Sequence, residues 1–448
     1  MTSAHPPERR SGTAWHDHVL WWHLHPLTFT GAEPAALPEA AAPIPRLDQL
    51  HSWLDYLIEL GCNGLALGPV FASATHGYDT IDHFRIDSRL GSEAEFLALV
   101  QACRQRGIRV LLDGVFNHVG REFPAFQDVV VHRAASRYAS WFRVDFDEHA
   151  PDGFNYVDFE GHRNLVALNH CEPAIADYVC EVMRYWLERG IDGWRLDAAY
   201  AVPAPFWRTV INRVAAQFPY AMLVGEVIHG DYRAFVHDGG LDTVTQYELW
   251  KAIWGSLNDR NFFELAWSIN RHNDFARAFL PLTFVGNHDV TRIASRLNHP
   301  QHLGHALVVL FTLAGHPSIY AGDEQAFRGV KYDRLGGDDE IRPEFPTAPA
   351  ALPAHGWPTY RLHQKLISLR RTHPWLNRCR VEICHLTNRQ IAYTATDPDS
   401  DSQLTVLLNI DESRSEFPLS TLPSSCLLAS DDSPPTRTVE AHGWAILQ

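Results

Sequence analysis

The stretch Gly190–Ala199, with the sequence GIDGWRLDAA, carries a short apolar run that ends in a charged pair. Within it, Asp192–Leu196 is predicted as a β-strand, and the apolar spacing upstream predicts a helix over Pro173–Arg189. Arg195 and Asp197 are two residues apart, so in an extended chain their side chains lie on the same side. The stretch therefore predicts a helix followed by a strand that ends in an arginine and an aspartate facing one way.

The same alternation of helix and strand extends in both directions from this unit. Eight short apolar runs are predicted as strands: Val19–Leu24, Gly64–Val70, Ile108–Asp113, Asp192–Leu196, Ala221–Glu226, Asp242–Thr245, Leu280–Val285 and Ser318–Ala321. Repeated βα units predict a parallel sheet with right-handed crossovers, and eight units predict a closed barrel. The fold class is therefore predicted as α/β, with a (β/α)8 TIM barrel.

Three further helices are indicated by apolar spacing and by end signals. Leu47–Leu60 has apolar residues at helical intervals, and Tyr360–Thr372 is predicted as the last helix of the barrel. Ser92 and Glu95 form a capping-box pattern that begins a helix, and Gly107 ends it.

Two regions break the alternation. Val119 to about His170 is polar, aromatic and irregular, which indicates an inserted subdomain or a functional loop. From Arg380 onward, strands such as Arg389–Thr396 and Gln403–Asn409 alternate with polar turns. The end of the chain is therefore predicted as a small antiparallel domain.

The charge and the apolar pattern argue against two classes of partner. The chain has 448 residues and a formal net charge of −15, whereas nucleic-acid phosphates need a basic surface. No run approaches the roughly 18 apolar residues of a membrane-spanning helix. The first residues, MTSAHPPERRSG, lack the apolar segment of a secretory signal, so we expect a frayed tail and a cytoplasmic protein with neither nucleic-acid nor membrane partners.

The cysteines and histidines show no metal-binding pattern. The seven cysteines are scattered without a CxxC pair, which is typical of thiols in a reducing compartment. Two HxH pairs and one set spaced by three lack both an HExxH motif and a cysteine partner: His16, His18, His23, His25, His299, His302 and His305. We therefore predict no metal site and no cofactor.

Acidic and polar side chains stand at the ends of four predicted strands. They are Asp113, Asn117 and His118 on the third strand, Arg195 and Asp197 on the fourth, Glu226 on the fifth, and His288 and Asp289 on the seventh. In a (β/α)8 barrel these ends converge on the face that carries active sites. Such a set suits glycosyl transfer, in which one carboxylate attacks the anomeric carbon and a carboxylic acid protonates the leaving oxygen.

These motifs resemble the α-amylase family, glycoside hydrolase family 13. DGVFNH, GIDGWRLDAA, VGEV and FVGNHD resemble its four signature regions in order, and GHPSIYAGDE resembles its strand-eight motif. GCNGLALGPVFASATHGYDTIDHFRID resembles the strand-two region of its neopullulanase and oligo-1,6-glucosidase branches. The resemblance covers about residues 15 to 448. It implies a barrel (domain A, 15–118 and 171–376), a domain B inserted after strand three (119–170) and a C-terminal β-sandwich (domain C, 377–448).

The resemblance also implies catalytic roles. Asp197 matches the nucleophile, Glu226 matches the general acid/base, and Asp289 matches the third acid, which grips the 2- and 3-hydroxyls of the reacting sugar. Arg195 matches the partner of the nucleophile, which it would hold ionised through its opposite charge.

Five further residues match positions that bind the reacting sugar. His118 and His288 match histidines that hydrogen-bond it, and Tyr78 matches a tyrosine that stacks on it. Asp79 matches an acid on the same ring, and Arg342 matches an arginine that reaches the sugar at the non-reducing end. Arg342 has a second predicted role, as a loop residue paired with the acids at 338–340.

Two departures from the family pattern change what is expected. Ala167, in LVALN, stands where many members have an acid that binds calcium in secreted amylases, so the usual calcium site is not expected. The first strand begins near residue 19, so the extra N-terminal domain of the neopullulanase branch is not expected either.

The function predicted from these residues is retaining hydrolysis of α-glucosidic bonds in short oligosaccharides, by an α-glucosidase or a maltooligosaccharide-degrading amylase. A transglycosylase with the same residues, or a catalytically inactive amylase-like binding protein, is the alternative. If Asp79 and Arg342 together hold the terminal sugar, single glucose units should be released. The predicted partner is an α-linked oligosaccharide, and the oligomeric state stays open.

Overall fold

A computed structural model describes residues 14–147, 149–150, 153–334, 336–419, 425–431 and 437–448. The predicted tail at residues 1–12 lies outside these ranges. Eight parallel strands form one sheet: Trp21–Leu24, Gly64–Leu67, Arg109–Gly114, Gly193–Leu196, Met222–Gly225, Thr243–Val244, Leu282–Phe284 and His316–Tyr320. We number them barrel strands one to eight in this order.

The sheet closes into a barrel. Its strands follow the order six, five, four, three, two, one, eight, seven, and each neighbouring pair is parallel. A parallel bridge between Thr245 and Leu282 joins the two outer strands. Gly193 permits close approach of strands four and five, because a Cβ atom there would lie 2.1 Å from the Met222 carbonyl oxygen. The predicted barrel is confirmed, with strands one to three residues shorter at some ends than the apolar runs.

Helices cover the outside of the barrel. The longer ones in the described chain are Glu93–Gln105, Pro173–Glu188, Ala204–Ala215, Tyr232–Gly239, Tyr247–Asn258, Phe262–Ala276, Leu303–Thr312 and Trp357–Thr372. The capping box is present, since the Ala94 amide donates to Ser92 Oγ and the Ser92 amide donates to Glu95 Oε2 over 2.7 Å.

The predicted helix Leu47–Leu60 is wrong in one respect, because it is two helices, Asp48–His51 and Leu54–Leu60. Ser52 Oγ lies 2.8 Å from the Gln49 carbonyl oxygen and 2.7 Å from the Thr347 carbonyl oxygen. A serine hydroxyl that bonds to nearby carbonyls competes with the helical backbone pattern. The helix is therefore interrupted where Ser52 also bonds the distant Thr347, and apolar spacing alone does not show this interruption.

Two segments extend from the carboxyl ends of the barrel strands. After strand two, a hairpin of Phe71–Ser73 and Thr80–Ile86 carries Tyr78 and Asp79 in its turn. After strand three, His118–Gly120, Asp158–Phe159 and His162–Ala167 form an antiparallel sheet, beside the helix Pro124–His132 and the ribbon Val144–Asp145 with Asn155–Tyr156. A Cβ atom at Gly120 would lie 2.5 Å from the Asp79 carbonyl oxygen, so the two segments meet closely above the barrel.

The C-terminal part is an antiparallel sheet with a short ribbon against it. The sheet contains Arg380–Leu386, Gln390–Thr396, Gln403–Asn409, Trp444–Leu447 and Cys426–Ala429, in this spatial order. The ribbon Ser415–Glu416 with Thr438–Val439 packs through Phe417 and Val439 on one face, and the other face joins the main core. The predicted C-terminal antiparallel domain is confirmed. Among the described helices, none is long and apolar enough to cross a membrane.

Candidate active site

Arg195 lies at the centre of a cluster of carboxylates at the carboxyl ends of the barrel strands. Its Nη1 is 2.7 Å from both carboxylate oxygens of Asp113 and 3.1 Å from Asp197 Oδ1. Its Nη2 is 2.8 Å from Glu226 Oε1 and 3.9 Å from Asp289 Oδ2. One guanidinium therefore gathers side chains from strands three, four, five and seven.

The backbone of neighbouring strands fixes the two candidate catalytic carboxylates. The Asp197 amide donates to the Gly114 carbonyl, and the Glu226 amide donates to the Leu196 carbonyl, so the strand ladder continues one residue beyond each strand. The Ala198 amide also donates to Glu226 Oε2 over 2.9 Å. Ala198 has φ of +44°, a left-handed conformation that costs a non-glycine residue energy and is found at functional sites. The backbone beside Asp197 thus orients Glu226 directly.

Asp289 and Arg342 form the opposite wall of the pocket. Arg342 Nη2 donates to Asp289 Oδ1 over 2.9 Å, and Arg342 Nε donates to the His288 carbonyl oxygen over 2.8 Å. Asp289 keeps 30% of its side chain exposed, the largest fraction among these carboxylates. It is therefore the acid most open to a ligand. Arg342 Nη2 is also 2.8 Å from Asp338 Oδ2, the pairing of its second predicted role, and its contact with a sugar stays a prediction.

Tyr78 and His288 lie against each other beside Arg195. Their rings are parallel within 2°, with centroids 5.6 Å apart, and the Tyr78 hydroxyl lies within hydrogen-bond reach of His288 Nε2. The same hydroxyl donates to Asp113 Oδ2 over 3.2 Å. His288 Nε2 is also 3.0 Å from Asp289 Oδ2. The structure therefore brings Tyr78 and His288 into the charged cluster.

Two of the predicted sugar-binding residues, Asp79 and His118, are hydrogen-bonded to nearby protein groups rather than to the charged cluster. Asp79 Oδ1 accepts a hydrogen bond from the Thr75 amide over 3.0 Å, within its own turn. His118 Nε2 lies 3.1 Å from the Tyr78 carbonyl oxygen, and His118 Nδ1 lies 3.1 Å from the side-chain nitrogen Nδ2 of Asn117. In this arrangement both residues shape the turn that presents Tyr78, and their direct contact with a sugar stays a prediction.

The cluster contains more acids than cations. Four carboxyl groups, Asp113, Asp197, Glu226 and Asp289, meet the guanidinium groups of Arg195 and Arg342. Burial raises the pKa of Asp113 to about 6 and the pKa of Asp197 well above its ordinary value, while Arg195 opposes both shifts. Interacting carboxyl groups share their protons as a set. The site is therefore built to hold a proton near neutral pH.

The histidines around the cluster are neutral. Burial lowers the pKa of His288 well below its ordinary value, and His23 and Arg195 add to the effect. Burial also lowers the pKa of His23 and of His118 to about 3. These side chains can therefore offer hydrogen bonds to a sugar without adding positive charge beside the carboxylates.

The residues at the family's calcium position do not fit calcium. Ala167, at the end of the strand His162–Ala167, has no side-chain oxygen. The Asn117 side chain is bonded to His118, and Asp158 accepts the Gly161 amide over 3.0 Å. Calcium needs about six to eight oxygen ligands. Across the described residues, no group of three or more His, Cys, Asp and Glu side chains could hold a metal ion.

Sequence reasoning left several residues of the cluster without a role. Asp113 was expected only to lie at a strand end, yet it accepts both shortest bonds from Arg195. Tyr247 donates to Glu226 Oε1 over 3.2 Å, and His23 lies with its ring centroid 4.9 Å from that of His288. The sequence could have indicated His23, because it lies two residues after Trp21 on strand one and so faces the same interior side. Tyr247 follows strand six and carried no motif.

Comparison with known proteins agrees with this geometry. The family model "Alpha amylase, catalytic domain" matches residues 46–348. A cyclomaltodextrinase of Geobacillus thermopakistaniensis strain MAS1 is 30% identical over 426 residues, which cover 90% of this chain and 71% of the relative.

Two solved structures share nearly the whole fold. The debranching enzyme of Nostoc punctiforme, soaked with acarbose, has a TM-score of 0.81 at 26% identity and covers 97% of this chain and 98% of its own. The ligand-free cyclic α-maltosyl-(1→6)-maltose hydrolase of Arthrobacter globiformis has a TM-score of 0.80 at 27% identity, covering 97% of this chain and 99% of its own. The chain therefore belongs to the α-amylase family and is a glycoside hydrolase.

Proposed function

We propose that this glycoside hydrolase cleaves α-glucosidic bonds of short oligosaccharides with retention of configuration, with Asp197 as nucleophile and Glu226 as general acid/base. The observation that carries the proposal is that Arg195 bonds both carboxylates, one through each terminal nitrogen. The two groups therefore face one pocket from adjacent strands. Retaining pairs lie about 5–5.5 Å apart, whereas inverting pairs leave room for a water between them.

In the first step, an Asp197 carboxylate oxygen attacks the anomeric carbon as the bond to the leaving oxygen breaks. Glu226 gives its proton to that oxygen, so the leaving sugar departs as an alcohol. In the second step, Glu226 takes a proton from water, which attacks the anomeric carbon and releases Asp197. Two displacements restore the original configuration.

The surrounding residues supply charge and orientation for these steps. Arg195 is within 3.1 Å of Asp197 Oδ1, and its positive charge favours the ionised nucleophile. Four carboxyl groups meet two guanidinium groups here, so the carboxyl groups can share a proton as a set. Asp289, open to the pocket and fixed by Arg342, is placed to accept hydroxyl groups of the reacting sugar.

The substrate class is supported by the relatives. The cyclomaltodextrinase and the cyclic α-maltosyl-(1→6)-maltose hydrolase carry names that point to cyclic and short α-glucosides. By analogy, the substrates of this protein are short maltooligosaccharides, linear or cyclic, and a cytoplasmic enzyme would act on those that have already entered the cell.

The test is the anomeric configuration of the first product, followed by proton NMR during hydrolysis of maltotriose. An α-anomer that appears first and then mutarotates to the equilibrium mixture is expected. A β-anomer as the first product would overturn the assignment of Asp197 as nucleophile. Replacement of Asp197 or Glu226 should remove activity, and full activity of either variant would overturn the proposal as well.

A further inference from the structure

A chain of three hydrogen bonds runs from the loop of Asp289 to the candidate acid/base. The Asp289 amide donates to Asn287 Oδ1 over 2.9 Å, and Asn287 Nδ2 donates to the Tyr247 hydroxyl oxygen over 2.9 Å. The Tyr247 hydroxyl donates to Glu226 Oε1 over 3.2 Å. These residues come from the ends of strands five, six and seven, and the sequence motifs predict no role for Tyr247 or Asn287.

The direction of this chain is determined by its first bond. A backbone amide can only donate, so it must meet the oxygen of the Asn287 side chain, which turns the amide nitrogen towards Tyr247. The nitrogen in turn occupies the tyrosine oxygen as a donor, which leaves the tyrosine hydrogen free to point at Glu226. Burial and the charge of Glu226 raise the pKa of Tyr247 well above its ordinary value, so the hydroxyl keeps its hydrogen at working pH.

We propose that Tyr247 is a positioning residue that sets the orientation of the Glu226 carboxyl group, and that Asn287 fixes Tyr247 as the donor. Both side chains are buried, and neither bonds Asp197 or Arg195 in the contacts described above. The inference rests on the proposed role of Glu226. It adds that the loop that carries Asp289 determines the orientation of Glu226. The acid proposed to bind the sugar hydroxyls and the acid proposed to protonate the leaving oxygen are therefore joined by one chain of hydrogen bonds.

The position of Tyr247 supports a specific orienting contact. Its ring packs inside the barrel against Phe284, with centroids 4.9 Å apart and planes at 80°, and against Trp250. The ring is therefore held by packing that Phe at this position would preserve. Only the hydroxyl would be lost, so Tyr247→Phe isolates the contact with Glu226.

The leaving group separates this role from a general loss of structure. Protonation matters most when the leaving group is a poor one, such as a sugar alcohol, and little when it is an acidic phenol. If Glu226 is misoriented in Tyr247→Phe, kcat/KM should fall about 10- to 100-fold on maltotetraose, a part of the usual effect of general acid catalysis. On a 4-nitrophenyl α-maltoside it should fall less than about 3-fold.

The pH profile gives a second readout. A carboxyl group that loses a hydrogen-bond donor holds its proton more tightly. The alkaline limb of kcat/KM should therefore move to higher pH in Tyr247→Phe. Equal losses on both substrates with an unchanged profile would overturn the inference, since that pattern indicates only a structural contribution.

Two further variants complete the experiment. N287D keeps an oxygen for the Asp289 amide but replaces the donor to Tyr247 by an acceptor, so the tyrosine hydrogen is drawn away from Glu226. It should show the same dependence on leaving group, and adding it to Tyr247→Phe should not increase that dependence further. Tyr393→Phe removes another buried hydroxyl, which lies on the C-terminal sheet and bonds Thr312 at the end of the helix Leu303–Thr312, and it should leave both substrates unaffected.

Glu226→Gln distinguishes failure of the inference from failure of the proposed function. If Glu226→Gln loses kcat/KM on maltotetraose but retains most of it on the nitrophenyl substrate, while kcat falls on both because the second displacement needs Glu226 as base, Glu226 is the acid/base. A Tyr247→Phe enzyme without this pattern would then overturn only the positioning role. If Glu226→Gln cleaves maltotetraose normally, the proposed function itself fails.

Discussion

The lower part of the barrel interior and its rim are both lined by inward-facing side chains of the same strands, but those of the lower part are apolar and those of the rim are charged. On strand five, Met222 and Val224 pack in the apolar interior, and Glu226, two residues further along, belongs to the charged cluster. On strand three, Leu111 is interior and Asp113 bonds Arg195. Inward positions recur every second residue along a strand. The side chains therefore change from apolar to charged between one inward-facing residue of a strand and the next inward-facing residue.

The change from apolar to charged side chains explains how the barrel can hold a charged site. The apolar layer of Trp21, Leu111, Met222, Val224 and Phe284 excludes water from below and keeps the strands in register. Directly above it, the carboxylates lie in a poorly solvated setting where charge interactions are stronger than in water. Stability and reactivity are thus assigned to successive positions of the same strands, which predicts that they can be changed separately.

The largest difference between the effect on activity and the effect on stability is expected for Asp197→Asn. An amide cannot attack the anomeric carbon, so kcat should fall at least about 10³-fold, as with removal of other catalytic nucleophiles. Because Asp197 is buried among other acids, its neutralisation should not lower the melting temperature. Turnover within about tenfold of the wild type, measured on maltotriose, would contradict the comparison. Asp274→Asn, at an exposed acid on the helix Phe262–Ala276, is a matched control that should retain full activity.

The next largest effect is expected on the free energy of unfolding when the pH is lowered. Burial lowers the pKa of eight histidines to about 3 or 4: His23, His83, His118, His272, His302, His305, His316 and His363. The unfolded chain binds these protons below about pH 6.5, whereas the folded chain does not until pH 3–4. The free energy of unfolding should therefore fall as the pH drops from about 6.5 towards 4.

Buried acids act in the opposite direction over part of this range. Burial raises the pKa of Asp113 and Asp323 to about 6 and that of Glu324 to about 7, so these groups destabilise the fold as pH rises from about 4. The histidines outnumber them, so a net loss on acidification is expected in urea titrations between pH 7 and 5. A flat profile would contradict the prediction, and His316→Leu should reduce the slope by about one proton.

Met222→Ala tests the apolar layer alone. Met222 is fully buried beneath Glu226, and a Met-to-Ala change in a core costs about 2–5 kcal/mol. The midpoint of urea unfolding should fall accordingly, while kcat at low temperature should stay within a few-fold of the wild type. A loss of kcat comparable with that of Asp197→Asn, in protein that is still folded, would show that the two layers are not separable.

The barrel and the position of the candidate catalytic carboxylates were predictable because each depends on short-range signals. Apolar runs bounded by glycine and proline marked the strands, and the acids followed those runs directly. Asp197 and Glu226 could therefore be placed on one face from strand order alone, before any contact was known.

The contacts that tune the site depend on residues far apart in the chain. Tyr247 meets Glu226 and Asn287 only because strands five, six and seven are adjacent in the closed barrel. Asp79 was assigned to the sugar, but in this structure its carboxylate bonds Thr75 four residues earlier, a local turn contact that competes with ligand binding. Such choices between a local and a distant partner are energetic, and spacing does not determine them.

A smaller effect, on product length, is expected at the rim. Arg342 bonds Asp289 and Asp338, and Asp79 bonds Thr75, so the described contacts favour the second predicted role of Arg342 over a closed terminal pocket. Space beyond the reacting sugar would then admit a second glucose unit. Maltose should therefore dominate the early products from maltotetraose, as measured by anion-exchange chromatography. Glucose with maltotriose as the only early products would instead indicate that Asp79 and Arg342 close the pocket when sugar binds.

The smallest effect is expected from a chelator, because the rim segment after strand three is held by protein contacts where calcium would otherwise bind. Ala167 pairs through its backbone with His118, and Asp158 bonds the Gly161 amide and lies 4.0 Å from Arg163. Of the other acids in this segment, Asp145 is exposed and Asp147 accepts a hydrogen bond from the His149 amide, while residue 152 lies outside the described ranges. EDTA followed by desalting should change neither kcat nor the melting temperature. Loss of activity that returns with added calcium, but not with magnesium, would show that these oxygens are recruited as ligands and that the segment is held by metal after all.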